Sequence, residues 1–310
     1  MFSVIFPGQG SQLVGMGKDF FDKYALVRDL FKEADDTLDF SLSNLIFNGP
    51  KEDLDLTENT QPAIFLISYS IFKLIKEEFD INLSEASFFA GHSLGEYSAL
   101  ASAGVLSFSD TLKILKIRGK AMQNSVPKGV GGMVAVLGSE IRIIENFITE
   151  NKNKYECYIA NDNSEGQIVL SGNNEDLEKM MVDLKSAKIK NIKLPVSAPF
   201  HCKLMNKASL VMNEEIKKLN FKEPKNILIS NVTGKEIIDS SELRDLLVKQ
   251  IESRVRWRES VLLMVNKGIN QFIEIGPGKV LSGLVKRIDK NVKVSAINTE
   301  EDIKLININE

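Results

Sequence analysis

Gly91-His92-Ser93-Leu94-Gly95 sets a serine between two glycines at the spacing of a nucleophile elbow. Phe88, Phe89 and Ala90 before it read as a buried strand, and the Ala-rich run after Gly95 reads as a helix. A serine on so sharp a strand-to-helix turn takes a strained backbone, and small residues two places either side let strand and helix pass one another. The turn lifts the Ser93 hydroxyl clear of the sheet. It also aims the unpaired N–H groups of the new helix, beginning near Leu94, at whatever Ser93 attacks. The five residues alone fit a Gly-rich loop with a capping serine equally well, because short motifs match by chance; the flanking strand and helix favour the nucleophile.

A serine hydroxyl is a weak nucleophile until a base takes its proton. The chain has two histidines, His92 and His201. Side chains of adjacent residues diverge as a rule, so His201 is left as the base for Ser93. The turn Pro7-Gly8-Gln9-Gly10-Ser11-Gln12 fits neither Gly-rich phosphate-binding pattern. It reads as a plain loop or as a second source of backbone N–H groups beside the serine. Arg118 stands inside an otherwise apolar helical run, where a lone guanidinium is costly to bury. A structural ion pair, a snorkelling side chain and an anion site all remain open for it. Cys157 and Cys202 are far apart and lack metal-ligand spacing, and Cys202 reads as a small core residue.

The elements that must position these groups alternate. Val4–Phe6 reads as a strand, 18–56 as helical pieces, and Thr57–Asp80 as a long helix with Thr60 as its cap and Pro62 in its first turn. The strand, elbow and helix follow, then a helix over 107–125. From 133 the rhythm changes to strand 133–137, helix 139–150, strands 157–160 and 167–171, helix 174–187 and strand 189–195, the βαββαβ ferredoxin-like order. After His201 helices and strands alternate again through 226–230, 271–275 and 292–296, and the polar tail from Glu300 reads as frayed. The expected fold class is α/β: a mostly parallel sheet covered by helices and carrying the elbow, in residues 1–127 and 199–310, with a ferredoxin-like subdomain inserted at 128–198. At 310 residues, 43% hydrophobic and 26% charged, the chain is soluble and globular in composition. A net charge of −3 gives nothing to draw nucleic acid, and no apolar run reaches a membrane span, so a cytoplasmic location is expected.

With these features in hand, the chain closely resembles the malonyl-CoA:acyl carrier protein transacylases, and more broadly the acyltransferase domains of fatty-acid and polyketide synthesis. The resemblance covers essentially the full length. It is carried by Phe6-Pro7-Gly8-Gln9-Gly10-Ser11-Gln12, Thr60-Gln61-Pro62-Ala63, Gly91 through Leu100, Arg118-Gly119, Ser197-Ala198-Pro199-Phe200-His201, Gln250, Val255-Arg256-Trp257 and Glu274 through Gly278.

By position, the resemblance implies Ser93 as nucleophile, His201 as base, and the Gln250 backbone carbonyl as the group that fixes the imidazole tautomer. It implies an oxyanion hole from the backbone N–H groups of Gln9 and Leu94, and Arg118 as the fork for the free carboxylate of malonate. Gln61, Asn161 and Asn231 are candidates to hydrogen-bond near the acyl group or the thioester arm. His92 either lines the pocket or shapes the elbow, and Phe200 matches the malonyl-preferring members. The implied reaction is ping-pong transfer of malonyl from malonyl-CoA to the phosphopantetheine thiol of acyl carrier protein, by a monomer without metal or redox cofactor. Lys185, Lys188, Lys190, Lys286 and Arg287 are candidates for a basic patch facing an acidic carrier. A stand-alone acyltransferase of a polyketide pathway, a serine esterase or thioesterase, and a non-catalytic docking protein remain as alternatives.

Overall fold

The structure, a computed structural model, describes residues 1–310 apart from Ser197, Ile238, Asn309 and Glu310; Ser197 of the motif before His201 therefore lies outside the described residues. The strands are β1 (Phe2–Phe6), β2 (Phe88–Gly91), β3 (Gly131–Leu137), β4 (Cys157–Ser164), β5 (Gln167–Asn173), β6 (Lys190–Lys193), β7 (Ile227–Leu228), β8 (Gln271–Ile275) and β9 (Lys293–Ile297). The helices are α1 (Lys18–Lys23), α2 (Ala25–Leu38), α3 (Leu42–Asn48), α4 (Lys51–Leu54), α5 (Thr57–Glu78), α6 (Gly95–Ser102), α7 (Phe108–Gln123), α8 (Ile141–Glu150), α9 (Asn174–Ser186), α10 (Asn206–Lys217), α11 (Leu243–Gln250), α12 (Trp257–Asn266), α13 (Val280–Ile288) and α14 (Glu300–Lys304).

β1, β2 and β8 are buried along their whole length, as strands in the middle of a sheet covered on both faces must be. They belong to a parallel sheet of order β7-β2-β1-β8-β9. The chain steps outward from β1 to β2 and β7, then returns to the other side for β8 and β9. The connections therefore part at the carboxyl ends of β1 and β8, the place where open α/β sheets bind ligands. Phe6 pairs with Gly91 and Ile5 with Glu274, so the Pro7 loop, the elbow and the Gly276 turn leave the sheet side by side.

A second, antiparallel sheet has the order β4-β5-β3-β6. Its period-2 alternation decides which side chains reach the site. Val134, Val136, Ile168 and Leu170 pack with Ile144 of α8 and with Leu177, Met180 and Leu184 of α9. Met133, Ala135 and Val169 point the other way and line the cleft between the two sheets. Backbone ties β4 to the segment leading into α12: Val255 N–H donates to Ala160 O at 2.8 Å and Asp162 N–H to Val255 O at 2.9 Å. Arg258 adds a bidentate grip on the fully buried Asp162 carboxylate, at 3.0 Å from Nε to Oδ1 and 2.8 Å from Nη2 to Oδ2. A buried, two-bond pair of this kind holds geometry as well as charge.

Three local expectations change. α5 begins at Thr57, behind Leu56, because the N–H groups of Asn59 and Thr60 already bond back to Leu56 O. Thr60 is therefore inside the helix, its hydroxyl donating to Leu54 O at 2.6 Å, and Pro62 lies beyond the first turn. β4 continues past Ala160 through Ser164, with register shifts between Ile159 and Asn161 and between Asp162 and Ser164. The polar residues 161–164 fell outside the expected strand; their backbone is satisfied by β5 and Val255. The tail is not frayed from Glu300: Thr299 and Asp302 form a capping box, and Ile303 of α14 is buried.

Candidate active site

The two elbow glycines are required by contact. A Cβ on Gly91 would stand 1.9 Å from Gly95 O, and one on Gly95 would stand 2.3 Å from Phe6 O. Strand, turn and helix are thus pressed against each other and against β1. Ser93 itself has φ +55°, a left-handed conformation that costs a non-glycine residue about 1 kcal/mol or more. Asn231 holds it there: its Oδ1 accepts from Ser93 N–H at 2.7 Å, and its Nδ2 donates to Gly91 O at 2.7 Å. Asn231 consequently sits against the elbow backbone, a different task from the acyl or thioester contact the sequence had suggested. Among the described residues, the backbone N–H groups of Gln9 and Leu94 donate to no protein acceptor, and both residues line the cleft.

His201, in the segment that returns from β6, also has a left-handed backbone, φ +58°. Its Nε2 lies 2.8 Å from Ser93 Oγ and its Nδ1 lies 2.8 Å from Gln250 O. A carbonyl only accepts, so Nδ1 carries the proton and Nε2 presents its lone pair to the serine hydroxyl. Gln250 ends α11, where carbonyls lack helical partners, and this one is used on the imidazole. Burial first, and then the Arg118 charge, push the His201 pKa down to about 3. His92 turns the other way: its Nε2 is 2.8 Å from Asn163 Oδ1, its ring tilts against Trp257, and burial lowers its pKa as well. The His201 ring is therefore expected to stay neutral as pH falls through 6.5, the range in which a free histidine takes a proton. Imidazole NMR on this two-histidine chain checks it, with an H92N variant to assign the signals. A His201 resonance titrating near 6.5 contradicts the buried, carbonyl-bonded ring. Folding stability linked to His201 is full above pH 6.5 and is lost as pH falls toward 3.

Arg118 is 1% exposed. Gly119 is what brings it close: a Cβ there would stand 2.4 Å from Thr57 O, so α7 lies tight on the start of α5. Its Nη1 donates to Gln61 Oε1 at 2.7 Å, and its Nη2 to Gln250 Oε1 at 2.8 Å and Ser93 Oγ at 3.1 Å. The guanidinium also lies over the Tyr97 ring, 5.5 Å from its centroid. Among the described residues no carboxylate forms an ion pair with Arg118, and neither the structural pair nor the snorkelling side chain considered from the sequence is what the geometry holds. Glu96, 3% exposed on α6, was missed as a site residue; an acid in a buried Ala-rich helix was the available signal. Burial raises its pKa to about 7 against the lowering effects of Gln250, Asn231 N–H and Arg118.

These groups open on a cleft of about 260 Å³ between the sheets, which also draws in Gln61, His92, Asn161 and Phe200. Asn161 reaches it at the β4 register shift. The arrangement suits acyl transfer: a hydroxyl with a base, two free N–H groups on the cleft wall, and a buried cation 3.1 Å from the hydroxyl. Lys190 and Gln167, the partner of Arg287, both pair with Leu137 of β3. Arg287 bonds Gln167 at the cleft rim and Lys286 bonds Val292 O, while Lys185 and Lys190 line a separate groove beside α9. Among the described residues no cluster of metal-ligating side chains occurs, and no helix is long and apolar enough to cross a membrane.

Residues 3–302 match the family described as Acyl transferase domain. The chain is 40% identical over 305 residues to a malonyl CoA-acyl carrier protein transacylase of Bacillus subtilis, covering 97% of this chain and 94% of that protein. A crystal structure of an acyl-carrier-protein-S-malonyltransferase from Bartonella henselae superposes with a TM-score of 0.95 at 41% identity, over 98% of this chain and 97% of that one. A malonyl-transacylase solved in complex with its holo type II PKS acyl-carrier protein superposes with a TM-score of 0.93 at 36% identity, over 98% and 97% of the two chains.

Proposed function

Because the chain belongs to the acyl transferase domain family, we infer that it is a malonyl-CoA:acyl carrier protein S-malonyltransferase, moving malonyl from malonyl-CoA to the carrier's phosphopantetheine thiol for fatty-acid synthesis. The observation that carries the residue-level reading is the meeting of Ser93, His201 and Arg118 at one point of one cleft. In the first half-reaction Ser93 Oγ bonds to the thioester carbonyl carbon and His201 Nε2 takes the hydroxyl proton. The carbon–sulfur bond then breaks, and His201 returns the proton to the CoA sulfur. The carrier thiol reverses these steps on the malonyl-serine ester. Gln9 and Leu94 N–H groups receive the developing oxyanion, a contribution of roughly 3–4 kcal/mol per donor in comparable sites. Arg118 takes the free carboxylate in two parallel bonds, with Gln61 beside it. His92, Asn161 and Phe200 shape the space around the acyl chain and the thioester arm.

Residues 1–127 and 199–310 form the catalytic unit in this reading and 128–198 the smaller one, which supplies the opposite wall of the cleft. No electrons change hands in the transfer, so it calls for no redox cofactor, and the His201 base with the two N–H donors fills the activating and polarising roles a metal could otherwise serve. Every group invoked comes from one chain, which fits a monomer, and two buried thiols fit a reducing cytoplasm. The relative solved with a type II PKS carrier favours a second reading of the acceptor alone, a polyketide carrier. Purified chain with malonyl-CoA is expected to load a holo fatty-acid carrier stoichiometrically, with little malonate released to water. Preferential loading of a polyketide carrier supports the second reading, and malonate release without loading contradicts both.

A further inference from the structure

Two buried ionisable groups, one basic and one acidic, sit in this site without touching. Arg118 is bound only by neutral acceptors: Gln61 Oε1, Gln250 Oε1 and Ser93 Oγ. Glu96 is bound by donors from elsewhere: its Oε2 accepts from Gln250 Nε2 at 2.6 Å and from Asn231 N–H at 3.3 Å. The Gln250 side-chain amide stands between them. Its Nε2 faces the Glu96 carboxylate and Ser93 O, the latter at 3.0 Å, and its Oε1 faces the guanidinium at 2.8 Å. An NH2 group only donates and an amide oxygen only accepts. The reversed amide would set its oxygen against a carboxylate and a carbonyl, and its NH2 against a cation.

We propose that Glu96 is a positioning residue for substrate selection: it locks the Gln250 amide so that Arg118 always meets a neutral oxygen, never an internal carboxylate. The proposal rests on Arg118 receiving the free carboxylate of the substrate. Its advantage is competitive. Charge-assisted hydrogen bonds are about twice as strong as neutral ones, so an incoming carboxylate outcompetes amide and hydroxyl acceptors. A Glu96–Arg118 ion pair would offer an internal carboxylate of equal strength and blunt the preference. Glu96 Oε2 accepts in either protonation state, so the lock does not depend on the charge of the acid. The same carboxylate also bonds the Asn231 backbone, whose side chain holds Ser93 in its turn. One acid thereby coordinates the nucleophile's turn with the selecting cation.

The test is a mixed-substrate reaction, equimolar malonyl-CoA and acetyl-CoA, read as the ratio of the two acyl adducts by intact mass. The ratio does not depend on how much of a variant is folded. Glu96→Ala, and Glu96→Met, which keeps the volume but offers no acceptor, are expected to lower the malonyl-to-acetyl ratio at least about tenfold, the size of one buried amide left unpaired. Glu96→Gln, which keeps an oxygen at the same place, is expected to stay within about threefold of wild type. Unchanged ratios in the Ala and Met variants overturn the proposal, as does a Gln variant that falls as far as they do. If Ala and Met fail to fold, a Glu96→Gln ratio more than about tenfold below wild type overturns the proposal. A wild-type chain without malonyl preference overturns the carboxylate reading, and this proposal with it; normal wild-type preference with unmoved variants overturns this proposal only.

Discussion

Ser93→Ala is expected to lower malonyl transfer about 10⁵-fold and to leave no acyl-enzyme, because the loss of a nucleophile removes most of what the remaining site can do. The oxyanion donors and the Arg118 fork stay in place in this variant, so malonyl-CoA still binds. The fold is kept as well. Alanine pays the same left-handed backbone cost as serine at φ +55°, and Asn231 grips the backbone N–H rather than the side chain. Steady-state transfer to holo carrier, with a thermal melt as control, measures it. Transfer within a hundredfold of wild type contradicts the assignment of Ser93.

Arg118→Ala is expected to reduce malonyl kcat/KM about 10³- to 10⁴-fold, the scale for removing one partner of a buried charged contact. Acetyl transfer is expected to fall far less, since acetyl never used the fork. The malonyl-to-acetyl preference should therefore collapse. Arg118→Lys should not restore it, because an ammonium is a single point charge and cannot make two parallel bonds to a carboxylate. Single-turnover acylation with each thioester separates the two losses. A preference unchanged in Arg118→Ala contradicts the fork.

Why some of this was legible and some not follows from the range of each interaction. The elbow was readable because its glycines are fixed by contacts between near neighbours, Gly91 against Gly95 and the helix start against β1. His201 was reachable by elimination in a chain so poor in histidine. Arg118 stood out as a cation in an apolar helix, but its partners did not. Gln61 and Gln250 lie 57 and 132 residues away, and nothing periodic ties them to it. Glu96 and the Gln250 side chain were missed for the same reason: a polar network across four elements leaves no spacing in any one of them. Asn231 was given to the ligand because an asparagine near a site looks alike whether it faces the substrate or the backbone. The alternation of strands and helices announced a parallel sheet; the order β7-β2-β1-β8-β9 had to come from packing. The start of α5 was read where it lies, but its cap was given to Thr60, because Leu56 caps it without a side-chain hydrogen bond and leaves no residue-type signal.

The claim on which the rest depends is that one hydroxyl carries the acyl group between two thiols. Brief mixing of the purified chain with malonyl-CoA, followed by intact mass and peptide mapping, examines it directly. The account predicts a single malonyl adduct on Ser93 that disappears when holo carrier is added, with malonyl appearing on the carrier. An adduct on Cys202 or on any other residue, or carrier loading with no adduct at all, would contradict it.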